Sequence, residues 1–472
     1  MKLVAFLTAI LLPCAGLAAD FAAGDRVSLI DDTPLYFNKT TILRTGKRGE
    51  QFTIIAARPG EHRVFLSAKD VLGKDIALNV GDDAVVLIKK GVMAPGARDG
   101  MEVMGDVRKD LAAALKNPPT IMARRSKAGR ERAMADNGGK KQSEEAVLKG
   151  LKWLKENQNP DGSWGPSYQG AMTGFAMLCF LGHGVAPDSA DWGPTVQKGL
   201  DWLVENGEKN DGRLNMAKAF DMPGVYAHAI AANALCEYCT MIKDERVAEL
   251  CRKAIGYIVA GQGPDGGWMY SYDKTEGDTS VSGWQIQALR AAHLSGLNID
   301  GVDAALDKAM LNLKRVQAKD GSFGYRTATG GNYSLTGAGV FCICWWSAEK
   351  SKDWWAAGKN KAVQDGLQFL FKPQTDQEHP VDYHFERADL YAWYYNTHAC
   401  FMVGGAAWQK WNPRIQDQLV KNQKPDGSWL PIAGKSPGGE LQRDEEGAGP
   451  CYRTCLCTLM LEVFYRIDPI RK

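Results

Sequence analysis

The chain has 472 residues, of which 45% are hydrophobic and 24% charged, and it carries a net charge of +2 at pH 7. That length exceeds one small domain and suits a compact array with an appendage. The near-neutral balance gives no global preference for nucleic acid or acidic surfaces. Beyond the N-terminal segment, no stretch is apolar for the ~20 residues a membrane-spanning helix needs.

Residues 1–19 have the pattern of a secretory signal. Lys2 opens it, Leu3 to Leu12 form a short apolar run, and Ala15 to Ala19 supply a small-residue cleavage site. Pro13 before Cys14 is a poor lipoprotein context, so a soluble periplasmic or secreted protein is expected. Residues 20–92 then carry strand signals at 26–30, 51–56, 62–66 and 84–88, separated by Gly, Pro and Asp clusters. Four or five short strands suggest a small β-barrel similar to bacterial SH3-like modules, with a spacer or interaction role. Residues 93–142 read as a basic, partly helical linker, with ten Lys/Arg against three acids between 108 and 141. Such a stretch could also touch an anionic envelope surface.

From 143 to 468 one motif recurs. Gln158-Asn-Pro-Asp-Gly-Ser-Trp164 returns as Gln262 to Trp268, Gln317 to Phe323 and Gln423 to Trp429, in degraded form at Asn210 to Leu214, and Asp376 stands where a sixth copy falls. The period is about 50 to 55 residues, the mark of stacked supersecondary units. Each unit opens with an amphipathic helix, as at 146–155, 196–203 and 362–370. The Asp-Gly turn ends it, and a second helix with almost no charge follows, at 172–181, 226–241, 280–292, 334–346, 391–403 and 453–465. A helix apolar all round is buried all round. Six such pairs predict a mainly α (α/α)6 toroid with the apolar helices inside.

A glutamine before a turn ending in Gly-Ser-Trp resembles the repeat of the terpenoid cyclases and protein prenyltransferases, the squalene-cyclase-like toroids, over about 70% of the chain. The resemblance implies that the motif's glutamine and tryptophan brace neighbouring units. It also implies a central cavity at the mouth where all six inner helices begin. There the sequence places Phe175, Tyr226, His228, Asp278, Trp284, Tyr333, Asp389, Tyr391, Tyr394, Tyr452 and Arg453. Aromatic faces of this kind stabilise cations and line apolar pockets, or they simply pack the centre.

The family's chemical residues transfer poorly. Thr275-Glu-Gly-Asp-Thr279 resembles the cyclase acid motif, but Gly277 holds the proton donor's place, leaving Asp278 as candidate acid or helix cap. Prenyltransferase zinc ligands would fall on Asp389, Tyr391 and Arg453, two of which are unsuited. No cofactor and no metal site are therefore expected, and His379, His384 and His398 have no metal spacing. Ten cysteines follow the signal, nearly all in apolar helices, and their pairing is not legible. The expected function is binding of a hydrophobic small molecule or a protein segment in the ring's cavity. The alternative is an active terpene cyclase on a polyprenyl substrate with Asp278 as acid.

Overall fold

The structure, a computed structural model, describes seven strands between residues 26 and 89. It also describes residues 124–467 apart from 216–219, 221–223, 352–357 and 435–438. The signal segment and the linker up to residue 123 lie outside the described residues. The chain divides into two compact units, residues 1–123 and 124–472.

In the first unit the strands are β1 (Arg26–Leu29), β2 (Thr33–Tyr36), β3 (Ile42–Gly46), β4 (Gln51–Arg58), β5 (Arg63–Lys69), β6 (Asp75–Gly81) and β7 (Val85–Lys89). They pair antiparallel in the order β3-β2-β6-β5-β4-β1-β7. Three strands were not expected from sequence. β2 holds Pro34 and β3 ends on Gly46, both poor strand formers taken singly. β6 is recruited by β5, which it pairs from Arg63↔Gly81 to Lys69↔Asp75.

The second unit begins with α1 (Lys127–Asn137), capped by the Ser126 hydroxyl. Six helix pairs follow. The outer members are α2 (Lys141–Glu156), α4 (Gly193–Lys209), α6 (Glu245–Ala260), α8 (Val302–Arg315), α10 (Lys361–Leu370) and α13 (Gly405–Lys421). The inner members are α3 (Gln169–Gly182), α5 (Gly224–Met241), α7 (Thr279–Ser295), α9 (Tyr333–Ser351), α12 (Leu390–Val403) and α15 (Gly449–Leu461). Short helices α11 (Pro373–Glu378), α14 (Gly439–Arg443) and α16 (Val463–Arg466) complete the unit. Each inner helix packs on the next, and α15 packs on both α3 and α2, so the ring closes. In α3 every residue from Gly170 to Gly182 is buried, whereas α2 buries only one face, led by Val147, Leu151 and Leu154. This is the alternation that the charge pattern predicts.

The repeated turn is the ring's fastening. Gln158 Nε2 donates to Gly162 O and to Thr195 O of the next outer helix, at 2.9 and 3.0 Å. Gln262 and Gln317 repeat this toward Ala305 O and Ala362 O. Gln423 reaches Ala146 O of the first outer helix, α2, at 2.8 Å, which joins the last unit to the first. The glycine of each turn is required twice over. Gly427 has φ +96°, and a Cβ there would stand 2.2 Å from Lys149 O. The tryptophan ends wholly buried, its indole N–H donating ten residues back, from Trp164 to Leu154 O, Trp268 to Ile258 O and Trp429 to Leu419 O. The fifth unit departs from the pattern. Its turn is replaced by α11, and Asp376 pairs with Arg414 at 2.8 Å instead of shaping an Asp-Gly turn.

Candidate functional site: the mouth and bore of the ring

The mouth is where the six inner helices begin. Two aspartates cap helices there. Asp278 accepts from Ser280 N at 2.8 Å and Ser280 Oγ at 2.5 Å, while its other oxygen takes the Tyr270 hydroxyl at 3.3 Å. Asp389 accepts from Tyr391 N at 2.9 Å, Gln442 Nε2 at 3.1 Å and Ser334 Oγ at 2.9 Å. Both carboxylates are buried and fully engaged, as N-caps require.

Around them stand half-buried tyrosines. Tyr226 OH meets Ser280 Oγ at 2.9 Å, and Tyr391 OH points to Ser280 O at 3.5 Å. Tyr452 sits edge-on to Phe175 at 5.7 Å. Tyr325, 38% exposed, stands beside them, its backbone O accepting from Thr279 N at 2.8 Å. Burial raises the phenol pKa of Tyr226, Tyr391 and Tyr452 well above the ordinary value, so all three stay neutral hydroxyls.

Below the mouth the bore is filled. Phe175 on α3 meets Trp284 on α7 at 5.2 Å, and Trp284 stacks on Tyr394 of α12 at 5.5 Å. Tyr395 of α12 lies 5.7 Å from Trp284. These contacts join the first, third and fifth inner helices, which are not ring neighbours, so the rings occupy the axis itself. One layer deeper, Tyr394 OH donates to Gln287 Oε1 at 2.9 Å and Gln287 Nε2 to Tyr395 OH at 3.0 Å.

The far end holds an ion network. Arg466 donates to Glu237 at 3.0 Å, and Arg125, from just before α1, donates to the other Glu237 oxygen at 3.3 Å. All three side chains are buried. Burial pushes the Glu237 carboxyl up, but Arg466 and Arg125 outweigh it and hold the pKa below the ordinary range. Arg466 also donates to His398 Nε2 at 3.3 Å, and His398 Nδ1 pairs with Tyr394 O at 2.6 Å. Burial first, then Arg466, depress His398 to about 3. Glu462 is the exception in this layer. Neither of its oxygens meets a hydrogen-bond partner, His183 Nδ1 lies 4.0 Å away, and burial raises its pKa well above the ordinary value.

The structure thus brings Tyr226, Asp278, Asp389, Tyr391 and Tyr452 together at the mouth and puts Trp284 and Tyr394 in the plug beneath. Three other candidates stand elsewhere. His228 is wholly buried in the wall, where Leu214 N donates to its Nδ1 at 3.0 Å and its Nε2 pairs with Ala254 O at 2.9 Å. It fills the place of the hydroxyls of Thr173, Ser282 and Thr336, which receive the same backbone N–H in other units. Tyr333 stacks on His379 at 4.5 Å. Arg453 is buried and donates to Trp429 O, Gln442 O and Asp444 O and to the Glu445 carboxylate. A guanidinium spent this way cannot ligate zinc, and Asp389 is spent as a cap, so these residues do not fit the prenyltransferase metal. Among the described residues no group of three or more His, Cys, Asp or Glu could hold a metal ion, and no helix is long and apolar enough to cross a membrane.

Sequence reasoning missed Ser280, Tyr270, Tyr325 and the network around Glu237. The last had a signal: a lone Glu237 in a run otherwise free of charge.

No family model and no curated protein matches the chain. Among solved structures, the type II terpene cyclase MstE from Scytonema aligns over 68% of this chain and 97% of its own, at 12% identity and TM-score 0.46. An inactive variant of an alpha-1,6-mannanase of Salegentibacter, in complex with alpha-1,6-mannotetrose, aligns over 68% and 98%, at 11% identity and TM-score 0.48. A glycoside hydrolase family 76 mannosidase from Bacteroides thetaiotaomicron gives 11% identity and TM-score 0.44, with 68% and 98% covered. With scores this low, the case for an α/α toroid stands on this chain's own closed ring of helix contacts.

Proposed function

We propose that the chain is an exported toroid binding protein that holds a hydrophobic ligand, or an apolar segment of a partner protein, on the tyrosine-lined mouth of its ring. One observation carries this reading: the axis is occupied by Phe175, Trp284 and Tyr394, while Tyr226, Tyr391 and Tyr452 above them remain only half-buried. A filled bore leaves no interior to fold a long polyprenyl chain, but a shallow aromatic mouth suits a ligand laid across it. The cyclase alternative asks Asp278 for a proton. Its carboxylate is instead engaged as a helix cap, accepting from Ser280 N, Ser280 Oγ and the Tyr270 hydroxyl. In this reading the N-terminal unit is an SH3-like barrel that mediates attachment, residues 1–19 direct export, and the product is periplasmic or secreted.

The test is to incubate purified protein with squalene and with prenyl diphosphates, extract, and identify products by mass spectrometry. Co-purified or added apolar ligand recovered unchanged, with affinity lost about tenfold in Tyr391→Ala, is the expected result. A cyclised product that disappears in Asp278→Asn overturns the binding reading.

A further inference from the structure

Away from the mouth and the bore, two thiols meet between the second inner helix and the third outer helix. Cys239 lies in the last turn of α5 and Cys251 in the middle of α6, and their Sγ atoms are 3.7 Å apart. The connection between the helices is short, Ile242 to Asp244, and Asp244 caps α6 by accepting from Arg246 N and Val247 N. The two helices pack against each other. Cys236, one turn earlier on α5, and Cys251 are wholly buried, whereas Cys239 is partly exposed.

We propose that Cys239 and Cys251 form a modification site, a thiol pair that an external disulfide donor oxidises to a cross-link fastening α5 to α6. Sulfurs 3.7 Å apart stand in van der Waals contact, a short movement from the ~2.05 Å of an S–S bond. The exchange balances in two steps. The Cys239 thiolate attacks one sulfur of the donor disulfide, forming a mixed disulfide and releasing one donor thiolate. Cys251 then gives up its proton and attacks Cys239 Sγ, closing the protein disulfide and expelling the second donor thiolate. Two electrons and two protons leave the protein, and the donor is reduced to its dithiol. The order follows from exposure: the donor reaches Cys239 at the surface, and Cys251 resolves from within.

Cys236 also adjoins Cys251 but is wholly buried, so an external donor reaches Cys239 instead. Cys179, Cys342, Cys344, Cys400, Cys451, Cys455 and Cys457 all lie buried in the inner helices. Burial raises the thiol pKa of Cys342 and Cys344 as it raises that of Cys251, so what sets the 239/251 pair apart is the partly exposed Cys239 in contact with a second sulfur. A cross-link between residues 239 and 251 also removes freedom from the unfolded chain, so the oxidised protein should melt higher than the reduced one.

The pair stands whatever compartment the chain occupies, so the test is made in vitro as well as on exported material. Full-length reduced protein is equilibrated with oxidised glutathione, alkylated, and weighed intact before and after reduction. The expected result is two fewer alkylated thiols than in the reduced protein, a linked peptide pair containing Cys239 and Cys251, and a raised melting midpoint. Cys239→Ser should alkylate fully and show no rise. A full set of free thiols after oxidation of natively folded protein overturns the proposal, and so does a cross-link that maps to Cys236 or to any other pair. If the cross-link forms in glutathione but is missing from protein recovered from the cell envelope, the pair is upheld and the export reading is what fails.

Discussion

The two ends of the ring solve the same problem with different chemistry. At the mouth, polar groups are local: each aspartate caps its own helix and borrows a hydroxyl from a neighbour, and the tyrosines stay half open. At the far end, polar groups are long-range: Arg125, Glu237 and Arg466 come from positions more than a hundred residues apart and are sealed from water. Losing a cap costs about 1 kcal/mol, since it frees only the first amides of one helix. An unpaired charge in a dry layer has nothing to replace its partner. The difference teaches that this ring is held at its far end and left available at its mouth.

Acid should break the far end first. His183 and His398 are held near 3, by burial and then by Arg130 or Arg466 respectively, and His228 near 4, by burial. The unfolded chain, with histidines near 6.5, therefore binds more protons between about 6.5 and 3, and stability falls as pH falls through that window. His293, raised by its bond to Glu349, runs the other way, but its contribution is complete below about 6.5 and does not offset the loss in that window. The combined effect is on the order of 10 kcal/mol by pH 4, as large as the whole stability of an ordinary domain. Denaturant melts at pH 7 and pH 4.5 check it, and equal midpoints would contradict the buried-histidine account.

Removing the shared carboxylate tests the same layer at neutral pH. Glu237→Ala leaves two buried guanidiniums facing each other and should cost about 3–5 kcal/mol. The mouth substitution Asp389→Asn, measured alongside, should cost far less.

Ring closure has its own handle. Gln423→Ala removes the donor that ties the last turn to Ala146 O and should cost about 1–3 kcal/mol. The same change at Gln262 loosens a join inside the array. Hydrogen exchange should then quicken in α2 and α15 for the first variant and in α8 for the second; identical patterns would argue against a closed ring.

Glu462→Gln sharpens the comparison from the other side. Because the folded pKa of Glu462 is raised, its contribution is present below the unfolded value near 4.5 and is lost as pH rises. The amide should therefore stabilise the protein at pH 8, by about 1–2 kcal/mol, and change little at pH 4.5. At the small end, Asp278→Asn should shift stability by under ~1 kcal/mol, since asparagine caps helices about as well as aspartate. Thermal melts at pH 8 rank all these variants, with a second series at pH 4.5 for Glu462→Gln.

Much of this was legible in the chain. The period, the Asp-Gly turns and the charge-free helices required six stacked pairs, because a helix without a polar face has nowhere to go but inside. Turn glycine and buried tryptophan are local demands, written where they act. The sequence also placed aromatic residues at every inner-helix start, and it left Asp278 as acid or cap, between which the structure shows the cap. Tertiary structure alone decided whether those rings surround a hole or fill it. Phe175, Trp284 and Tyr394 sit on helices that periodicity puts at the same height, but their reach across the axis depends on ring radius and rotamer. It likewise turned His228 into a wall residue, because only the fold brings Leu214 N and Ala254 O to its two nitrogens. Arg125 reads in sequence as one basic residue of a linker, and its burial against Glu237 rests on a contact 112 residues away. Local pattern sets which face of a helix is buried; what meets it there is set by packing, which the sequence encodes only through the whole ring.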